Sequence, residues 1–241
     1  MTDIYSQLDP NLRRLIKKKQ NLAAVIPIGS IEQHGPHLPI STDSDIVSEV
    51  AKRLADRNGY LLLPTITCGV SFEHAPFFNL SVRESTLRSV LVDLCVSLLA
   101  NNIHNVFIIN GHHGNLKPIK NIDLKIRKLT KNKINVFPFS YWHFMQREFD
   151  HAGFVETSLM LAISKNVKMS MAKRGLITED LTKKQIADLG RKANKSFPSV
   201  TKNGVWGDPR CATKRDGCKI LNEIIQNLSK KCQTCLTEGI S

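Results

Sequence analysis

The sequence lacks any apolar run near the ~20 residues that a membrane-spanning helix needs, so no such helix is expected. Its N-terminal segment carries no apolar stretch of the kind that directs secretion. Aromatic residues make up only 6% of the chain, and no aromatic RNA-binding motif, zinc finger or helix-turn-helix pattern is present. We therefore expect a cytoplasmic protein without membrane contact, for which a nucleic-acid partner is only a minor alternative.

Cysteine is present but forms no standard metal or disulfide pattern. Without a secretion signal, the six cysteines are expected to be reduced thiols. Cys232 and Cys235 form a CxxC pair. A structural zinc site would need a second such pair, and Cys211 and Cys218 are spaced too widely to supply it. We predict that the CxxC pair consists of ordinary thiols on a final helix or tail.

Acidic residues are clearly outnumbered by basic ones. Lys and Arg total 34 against 21 Asp and Glu, which gives a net charge of +13. The basic residues are spread along the chain, as is typical of a solvated surface. A basic protein also attracts anions, including phosphorylated small molecules and nucleic acid. The charge is therefore compatible with an anionic small-molecule substrate but does not identify one.

Short apolar runs alternate with longer amphipathic segments along the chain. The short runs predict strands at residues 23–28, 60–63, 105–109 and 134–137. Helices are predicted at residues 44–57, 84–100, 116–129 and 154–163, and over much of 182–195 and 218–231. Residues 197–217 are predicted to form a long surface loop. The alternation predicts an α/β fold in which helices cover both faces of a mainly parallel sheet, within one domain over residues 1–241.

The segment richest in chemistry follows the first predicted strand. Residues 29–45 read GSIEQHGPHLPISTDSD and contain two imidazoles and three carboxylates: Glu32, His34, His37, Asp43 and Asp45. This mixture of nitrogen and oxygen donors suits Zn²⁺, Mn²⁺ or Fe²⁺. For any one residue the alternative is a hydrogen-bonded loop, in which Asp43 would cap the next helix. For Glu32, His34 and Asp43 together, a metal site is favoured.

A histidine-rich turn follows the third predicted strand. Residues 110–115 read NGHHGN and place His112 and His113 between glycines, which let the backbone turn sharply and approach a ligand closely. Ligands of open parallel sheets bind at the carboxyl ends of the strands, so this turn and the first segment should meet at one sheet edge. In the alternative, Asn115 caps a helix and the histidines are exposed. We expect at least one of the two histidines to be a metal ligand.

Three further segments carry candidate side chains. In residues 150–158, DHAGFVETS, His151 and Glu156 could supply a base, an acid or a further ligand, although Glu156 alone would also suit the first turn of a helix. The lone His74 is as compatible with a place outside the site as with one inside it. Trp206, in a turn-rich loop, could cover a pocket or pack at the surface.

Together these segments resemble the creatininase family of metal-dependent amidohydrolases. The matching stretches are IPIGSIEQHGPHLPISTD, NGHHGN, HAGFVETS and GDPRCAT, which occur in the family's order and begin at Ile26, Asn110, His151 and Gly207. The resemblance implies a three-layer αβα sandwich with a centre of two divalent ions, either Fe²⁺, Zn²⁺ or Mn²⁺. It also implies a hydrolase that acts on carbon–nitrogen bonds other than peptide bonds, and assembly as a homo-oligomer.

The resemblance further implies roles for individual residues. Glu32 and His112 would bind one metal ion and His34 the other, with Asp43 bridging the two. Creatinine hydrolases of the family have a glutamate two residues after the first histidine of the NGH motif, where this chain has Gly114. This departure removes a ligand and argues against creatinine as the substrate.

Other branches of the family have glycine at that position, and Glu156 is then the implied replacement ligand. His151 matches the family's proton-transfer histidine, so His151 and Glu156 are the implied catalytic residues. The implied substrate contacts are His74, His113, Gly114, Asn115 and Trp206.

The chain is most similar to the branch that removes formate from a formylamino-pyrimidine ribonucleotide in riboflavin and coenzyme F420 biosynthesis. A phosphorylated pyrimidine nucleotide is therefore the implied small-molecule substrate. Creatinine hydrolysis and the trimming of a redox-peptide precursor are the alternatives within the family. A non-catalytic metal- or nucleic-acid-binding protein is the alternative from another class.

Overall fold

The computed structural model describes residues 3–19 and 21–238. Its strands are β1 (Ala23–Ile28), β2 (Ile31–Glu32), β3 (Leu61–Leu62), β4 (Asn79–Leu80), β5 (Asn105–Asn110) and β6 (Asn135–Ser140). Four of them form a central sheet in the order β3-β1-β5-β6, and each neighbouring pair is parallel. The other two, β2 and β4, form a small antiparallel pair.

Helices of very different lengths surround the sheet. They are α1 (Asp9–Lys18), α2 (Thr42–Asn58), α3 (Glu84–Ala100), α4 (Leu116–Ile119), α5 (Ile122–Leu129), α6 (Phe154–Ile163), α7 (Lys183–Ala193) and α8 (Lys214–Glu238). The helix predicted over 116–129 is divided into α4 and α5, because Asn121 adopts a left-handed conformation with φ 56° between them. The predicted loop 197–217 ends earlier than expected, since α8 begins at Lys214.

Two apolar cores lie on opposite faces of the central sheet. Val25 and Phe107 belong to the core that contains residues of α2, α6 and α8, whereas the adjacent Ile26 and Ile108 belong to the core with residues of α3 and α5. Successive strand residues point to opposite faces, so a strand between two helical layers must be apolar at every position. All six residues of β1 are buried. The predicted three-layer α/β fold with a parallel sheet is confirmed.

The central strands end side by side at one edge of the sheet. The register pairs Ile28 with Asn110, and Asn110 with Ser140. The side-chain amide of Asn110 donates to Ser140 Oγ at 3.1 Å and joins the last residues of two strands. The loops that carry the candidate ligands begin at these strand ends, so the fold brings segments far apart in sequence to one place.

The cysteines have no part in this arrangement. Cys232 and Cys235 are buried in α8, and all six cysteines are free thiols, as expected. Within the described ranges, no helix is both long and apolar enough to cross a membrane. The expected single domain over residues 1–241 extends beyond the described residues at both ends and stays a prediction.

Candidate active site

Asp43 lies at the centre of a buried cluster of acids and histidines. It is the second residue of α2, and its Oδ1 and Oδ2 atoms face different imidazoles. Oδ1 lies 3.2 Å from His34 Nε2, and Oδ2 lies 3.1 Å from His112 Nδ1. Because the N-cap of α2 is Ser41, the alternative in which Asp43 is only a helix cap is wrong. A carboxylate held between two imidazoles in this way is placed to bridge two cations.

Glu32 and Glu156 complete the two sides of the cluster. Glu32 lies on β2, and its Oε2 atom is 3.3 Å from His112 Nδ1. Glu156, in the first turn of α6, has Oε2 at 3.5 Å from His34 Nε2. The backbone N–H of Ala152 donates to the same Glu156 oxygen at 2.6 Å and fixes its orientation. The cluster therefore has one glutamate beside each of the two imidazoles.

Backbone carbonyl groups orient both imidazoles. His34 Nδ1 lies 3.1 Å from the carbonyl oxygen of Glu32, and His112 Nε2 lies 2.9 Å from that of Val70. A ring N–H that donates to a carbonyl leaves the other ring nitrogen with a free lone pair, and in both rings that nitrogen faces Asp43. Such outer hydrogen bonds are the usual support of histidines that bind metal ions.

Several oxygen atoms in the cluster are buried without a hydrogen-bond donor. Within residues 3–19 and 21–238, these include both carboxylate oxygens of Glu32, Oδ2 of Asp43 and Oε1 of Glu156. A buried charged oxygen without a partner is costly, so native structures pair such groups or place them on metal ions. The donor set, two imidazoles and three carboxylates, is one that Zn²⁺, Mn²⁺ and Fe²⁺ accept. The residues present therefore fit divalent cations.

The distances define overlapping ligand groups rather than a single one. Three groups have ligand atoms that all lie within 4.8 Å of one another: Glu32 with Asp43 and His112, His34 with His151 and Glu156, and Glu32 with His74 and His151. The first group, and the pairing of His34 with Glu156 in the second, bring together residues that the sequence predicts as ligands. No cysteine of the described residues belongs to such a group.

The charges of the cluster strongly shift its pKa values. Burial raises the pKa of Glu32 to about 7 and that of Glu156 to about 8. Burial lowers the pKa values of His34 and His112, but the nearby carboxylates outweigh it and raise both to about 10. Burial would raise the pKa of Asp43, but these imidazoles outweigh it and hold that pKa far below its usual range. A divalent cation would favour the charged carboxylates and displace the imidazole protons.

A cavity of about 210 Å³ opens over the cluster. The predicted substrate contacts His74, His113 and Trp206 line it, together with His151. His74 Nε2 lies 3.1 Å from Glu32 Oε1, which places this lone histidine inside the site. Burial and the charge of His112 lower the pKa of His74 to about 3, so its ring is neutral at neutral pH.

Asn115 and Gly114, which were predicted to contact the substrate, lie outside the cavity. Asn115 is fully buried, and its amide donates to the Gly29 carbonyl at 2.9 Å and accepts from the Val70 N–H at 3.0 Å. It holds two loops together, contrary to its predicted contact with substrate. Gly114 is packed so closely that a Cβ there would lie 2.0 Å from the Val70 carbonyl oxygen. Neither residue is among those that line the cavity.

Two other residues of the first segment lie outside the cluster. His37 Nε2 lies 2.8 Å from Thr157 Oγ1, and Asp45 accepts a hydrogen bond from Ser41 Oγ at 2.8 Å. The first contact joins the segment to α6, and the second stabilises the start of α2. Both residues therefore stabilise the local structure. For these two residues the hydrogen-bonded loop, which was the alternative to a metal site, describes the segment.

Two residues in contact with the histidines of the site were not predicted from the sequence. Gln33 Nε2 lies 3.1 Å from His74 Nδ1 and 3.0 Å from His151 Nε2. Its position in the sequence between the predicted ligands Glu32 and His34 could have indicated that it lies near the site. Phe197 stacks on His74 with ring centroids 4.6 Å apart and meets the His151 ring edge-on at 4.7 Å. It begins the predicted loop 197–217, and its sequence neighbourhood gave no sign of this contact.

The fold and this cluster together define a metal-dependent amidohydrolase. The chain belongs to the creatininase family. The family model that matches it is described as creatinine amidohydrolase and covers residues 9–232. The resemblance drawn from the four sequence motifs is thereby confirmed.

Relatives of this chain carry different names. A mycofactocin precursor peptide peptidase from Mycobacterium ulcerans is 31% identical, with 84% of this chain and 81% of that protein covered. A 2-amino-5-formylamino-6-ribosylaminopyrimidin-4(3H)-one 5'-monophosphate deformylase from Methanothermus fervidus is 27% identical, with 94% and 91% covered. A creatinine amidohydrolase from Pseudomonas putida is 29% identical, with 58% and 63% covered.

Solved structures confirm the fold. A crystal structure of creatinine amidohydrolase superposes with a TM-score of 0.79 at 21% identity, covering 95% of this chain and 96% of that one. A manganese form of creatininase gives a TM-score of 0.80 at 21% identity, covering 97% and 98%. At these identities the likeness concerns the three-layer architecture alone.

Proposed function

We propose that this protein hydrolyses the amide bond of a small molecule with the help of two divalent ions. The observation that carries the proposal is the position of Asp43, whose two oxygens face His34 and His112 beneath an open cavity. The ions would be Fe²⁺, Zn²⁺ or Mn²⁺. Glu32, Asp43 and His112 would hold one of them. His34, Asp43 and Glu156 would hold the other.

Divalent ions bound there would supply Lewis-acid chemistry, since they lower the pKa of a water molecule from ~15.7 toward neutrality and polarise a carbonyl group. The protein supplies the remaining parts of the reaction. Amide hydrolysis adds water to the carbonyl carbon, breaks the carbon–nitrogen bond and needs a proton on the leaving nitrogen. The cluster must therefore provide a group that first accepts a proton and then donates it.

His151 is placed to move that proton. Its Nε2 atom lies 3.1 Å from the Gln33 carbonyl oxygen, and its Nδ1 atom lies 3.8 Å from Glu32 Oε1. Burial and the charge of His34 lower the pKa of His151 well below its usual value, so the ring is neutral at neutral pH. When Nε2 donates to the Gln33 carbonyl, the lone pair of this neutral ring lies on Nδ1, the atom nearer the cluster. Phe197 and Gln33 hold the ring in place.

We expect the replacement of His151 by Gln to lower kcat about a hundredfold, because general acid–base catalysis is typically worth ~10²–10⁴. Metal content should change little, since none of the five proposed ligands is altered: Glu32, His34, Asp43, His112 and Glu156. His143→Gln, an exposed histidine of the same region, is the matched control and should leave kcat unchanged. Steady-state kinetics with metal analysis of each preparation makes the measurement. A kcat equal to that of the parent protein in His151→Gln would remove this residue from the reaction.

The first substrate to test is 2-amino-5-formylamino-6-ribosylaminopyrimidin-4(3H)-one 5'-monophosphate, which would release formate. Support comes from the deformylase relative that covers 94% of this chain. The net charge of +13 is compatible with a phosphorylated substrate. Creatinine is disfavoured, because the close packing at Gly114 leaves no room for the carboxylate that creatinine hydrolases carry there.

Trimming of a precursor peptide is the second candidate function. It is supported by the peptidase relative, 31% identical over 84% of this chain. The two candidates differ in what the cavity must admit, either a planar pyrimidine or the end of a peptide chain. Direct comparison of the two substrates separates them.

The decisive experiment is anaerobic purification with elemental analysis, followed by parallel assays on the formylamino-pyrimidine nucleotide, creatinine and a mycofactocin precursor peptide. Formate release from the nucleotide alone supports the deformylase. Peptide cleavage alone supports the peptidase. A preparation that retains metal tightly but hydrolyses none of them, or that binds RNA in a salt-dependent way, would favour the non-catalytic alternative.

A further inference from the structure

A second depression, here called the basic groove, adjoins the catalytic cavity. Its volume is about 540 Å³, and its lining residues are Lys117, Asp188, Arg191, Lys192, Asn194 and Lys195. Asn194 lines the catalytic cavity as well. The two depressions therefore meet at the C-terminal end of α7.

The helix α7 presents different faces to the two depressions. Gly190, Ala193 and Asn194 line the catalytic cavity. The groove residues of this segment, 188, 191, 192 and 195, are spaced by three or four positions, as are residues on one side of a helix. A substrate that extends past the small residues Gly190 and Ala193 would leave the cavity beside the basic groove.

The groove carries an excess of positive charge. Four cations and one carboxylate line it. The carboxylate of Asp188 pairs with Arg191, and Lys117 Nζ lies 3.3 Å from Glu84 Oε1. For Lys192 and Lys195, no ion pair exists with any residue of the described ranges. Both lysines are exposed and able to meet an anion.

A purely structural role explains only part of this arrangement. Basic residues near the C-terminal end of a helix offset its dipole, which accounts for Arg191 and Lys192. It does not account for Lys117, which belongs to α4 and lines the same groove. The guanidinium of Arg88 donates to the Lys117 carbonyl at 2.7 Å and fixes α4 in place. Cations from two separate helices thus line one depression beside the catalytic cavity.

We propose that the basic groove binds the phosphate monoester of the substrate, with Lys192 and Lys195 as its main ligands and Lys117 as a further one. The assignment rests on the proposed function for the amide end of the substrate. A nucleotide bound in this way has its formamide over Asp43 and its phosphate outside the cavity, beside the end of α7. The groove then favours phosphorylated substrates over their dephosphorylated forms.

The kinetic test uses the metal-loaded double variant Lys192→Gln with Lys195→Gln. It compares kcat/KM for the formylamino-pyrimidine nucleotide with kcat/KM for the corresponding nucleoside. The ratio of the two should fall at least about tenfold, because hydrogen bonds to charged groups are lost. The control is Lys183→Gln with Lys184→Gln, which removes the same charge from the exposed start of α7 and should leave the ratio unchanged. An unchanged ratio in the first variant would overturn the proposal.

A binding test keeps this proposal separate from the proposed function. Titration calorimetry of ribose 5-phosphate with the metal-loaded protein needs no turnover. Its Kd should rise about tenfold in the Lys192 and Lys195 variant but not in the control, and should also rise with salt. If neither the nucleotide nor the nucleoside is hydrolysed but this pattern holds, the groove is a phosphate site and the deformylase is wrong. Equal Kd values in the parent protein, the Lys192 and Lys195 variant and the control would refute the phosphate assignment. It would also be refuted if a short RNA bound the groove while the variant left the nucleotide-to-nucleoside ratio of kcat/KM unchanged.

Discussion

Replacement of Asp43 by Asn is expected to abolish turnover. The substitution keeps the shape of the side chain but replaces one oxygen with an amide nitrogen, which cannot bind a cation. Because the two oxygens face His34 and His112, one of the two positions loses its oxygen ligand whichever way the amide turns, and the other keeps only a neutral oxygen. Metal content should fall to roughly half or less, and kcat by on the order of 10⁴ or more, because the activation of water depends on the ions.

Asp45→Asn is the matched control for this experiment. Asp45 lies on the same helix two residues further on, and its carboxylate accepts a hydrogen bond from Ser41, the N-cap residue of α2. It should retain metal and activity, with at most a small loss of stability. The measurement is kcat beside elemental analysis for both variants. A fully active, metal-free Asp43→Asn protein would refute the proposed two-ion reaction.

The second large effect is expected from Gly114→Ala, which adds one methyl group. A Cβ at this position would lie 2.0 Å from the Val70 carbonyl oxygen and 2.5 Å from His112 Nε2. The first of these contacts is with backbone, so the loop must move. The same carbonyl accepts the hydrogen bond that orients His112, and the methyl group would therefore disturb a predicted metal ligand.

We expect Gly114→Ala to lower the free energy of unfolding by about 2–3 kcal/mol, the typical cost of overpacking, and Tm by roughly 5–10 °C. Metal affinity should fall ~10- to 100-fold, because an outer hydrogen bond of a ligand is broken. Thermal unfolding with and without metal gives the first value, and competition with a chelator gives the second.

Gly190→Ala is the control for Gly114→Ala, since it adds the same methyl group at a position where no other atom is close. A Cβ at Gly190 has no neighbour within 4 Å, and the residue lies inside α7. Alanine favours a helix interior over glycine by up to ~1 kcal/mol, so this variant should be slightly more stable. If Gly114→Ala were as stable and as metal-loaded as Gly190→Ala, the close packing at Gly114 would not exist in solution.

The packing at Gly114 also bears on substrate choice in the family. Gly114→Glu would place a carboxylate where creatinine hydrolases have one, but its Cβ would meet the same carbonyl oxygen. We expect this variant to lose stability without gaining creatinine hydrolysis. In this chain the Val70 carbonyl packs directly against Gly114, and Glu156 approaches His34 from α6. A larger side chain at position 114 therefore requires the backbone to move.

Periodicity was sufficient to predict the layers of the fold. The uniformly apolar β1 and the alternation of strands with amphipathic helices require a sheet covered on both faces, because each apolar surface must be buried. The small sheet of β2 and β4 was missed, since strands of two residues leave no periodic pattern. The break between α4 and α5 was missed because a single left-handed Asn121 decides it.

The composition of the motifs was likewise sufficient to propose Glu32, His34, Asp43 and His112 as one group. Side chains that follow adjacent parallel strands converge whatever the details of packing. The sequence could not decide between substrate contact and structural support, and Asn115 shows why. Its amide satisfies two backbone groups of loops that are distant in sequence, which becomes visible only when those loops are packed together.

The sequence by itself determined the parallel three-layer architecture and the donor atoms at one sheet edge, because hydrophobic period and residue chemistry are local properties. Only the tertiary structure decided that Asp43 faces two imidazoles, that Phe197 and Gln33 hold the histidines, and that the end of α7 lines both depressions. These relations depend on how separate segments pack in three dimensions. Contacts between residues more than a hundred positions apart, such as that of Gln33 with His151, have no local signature in a single sequence.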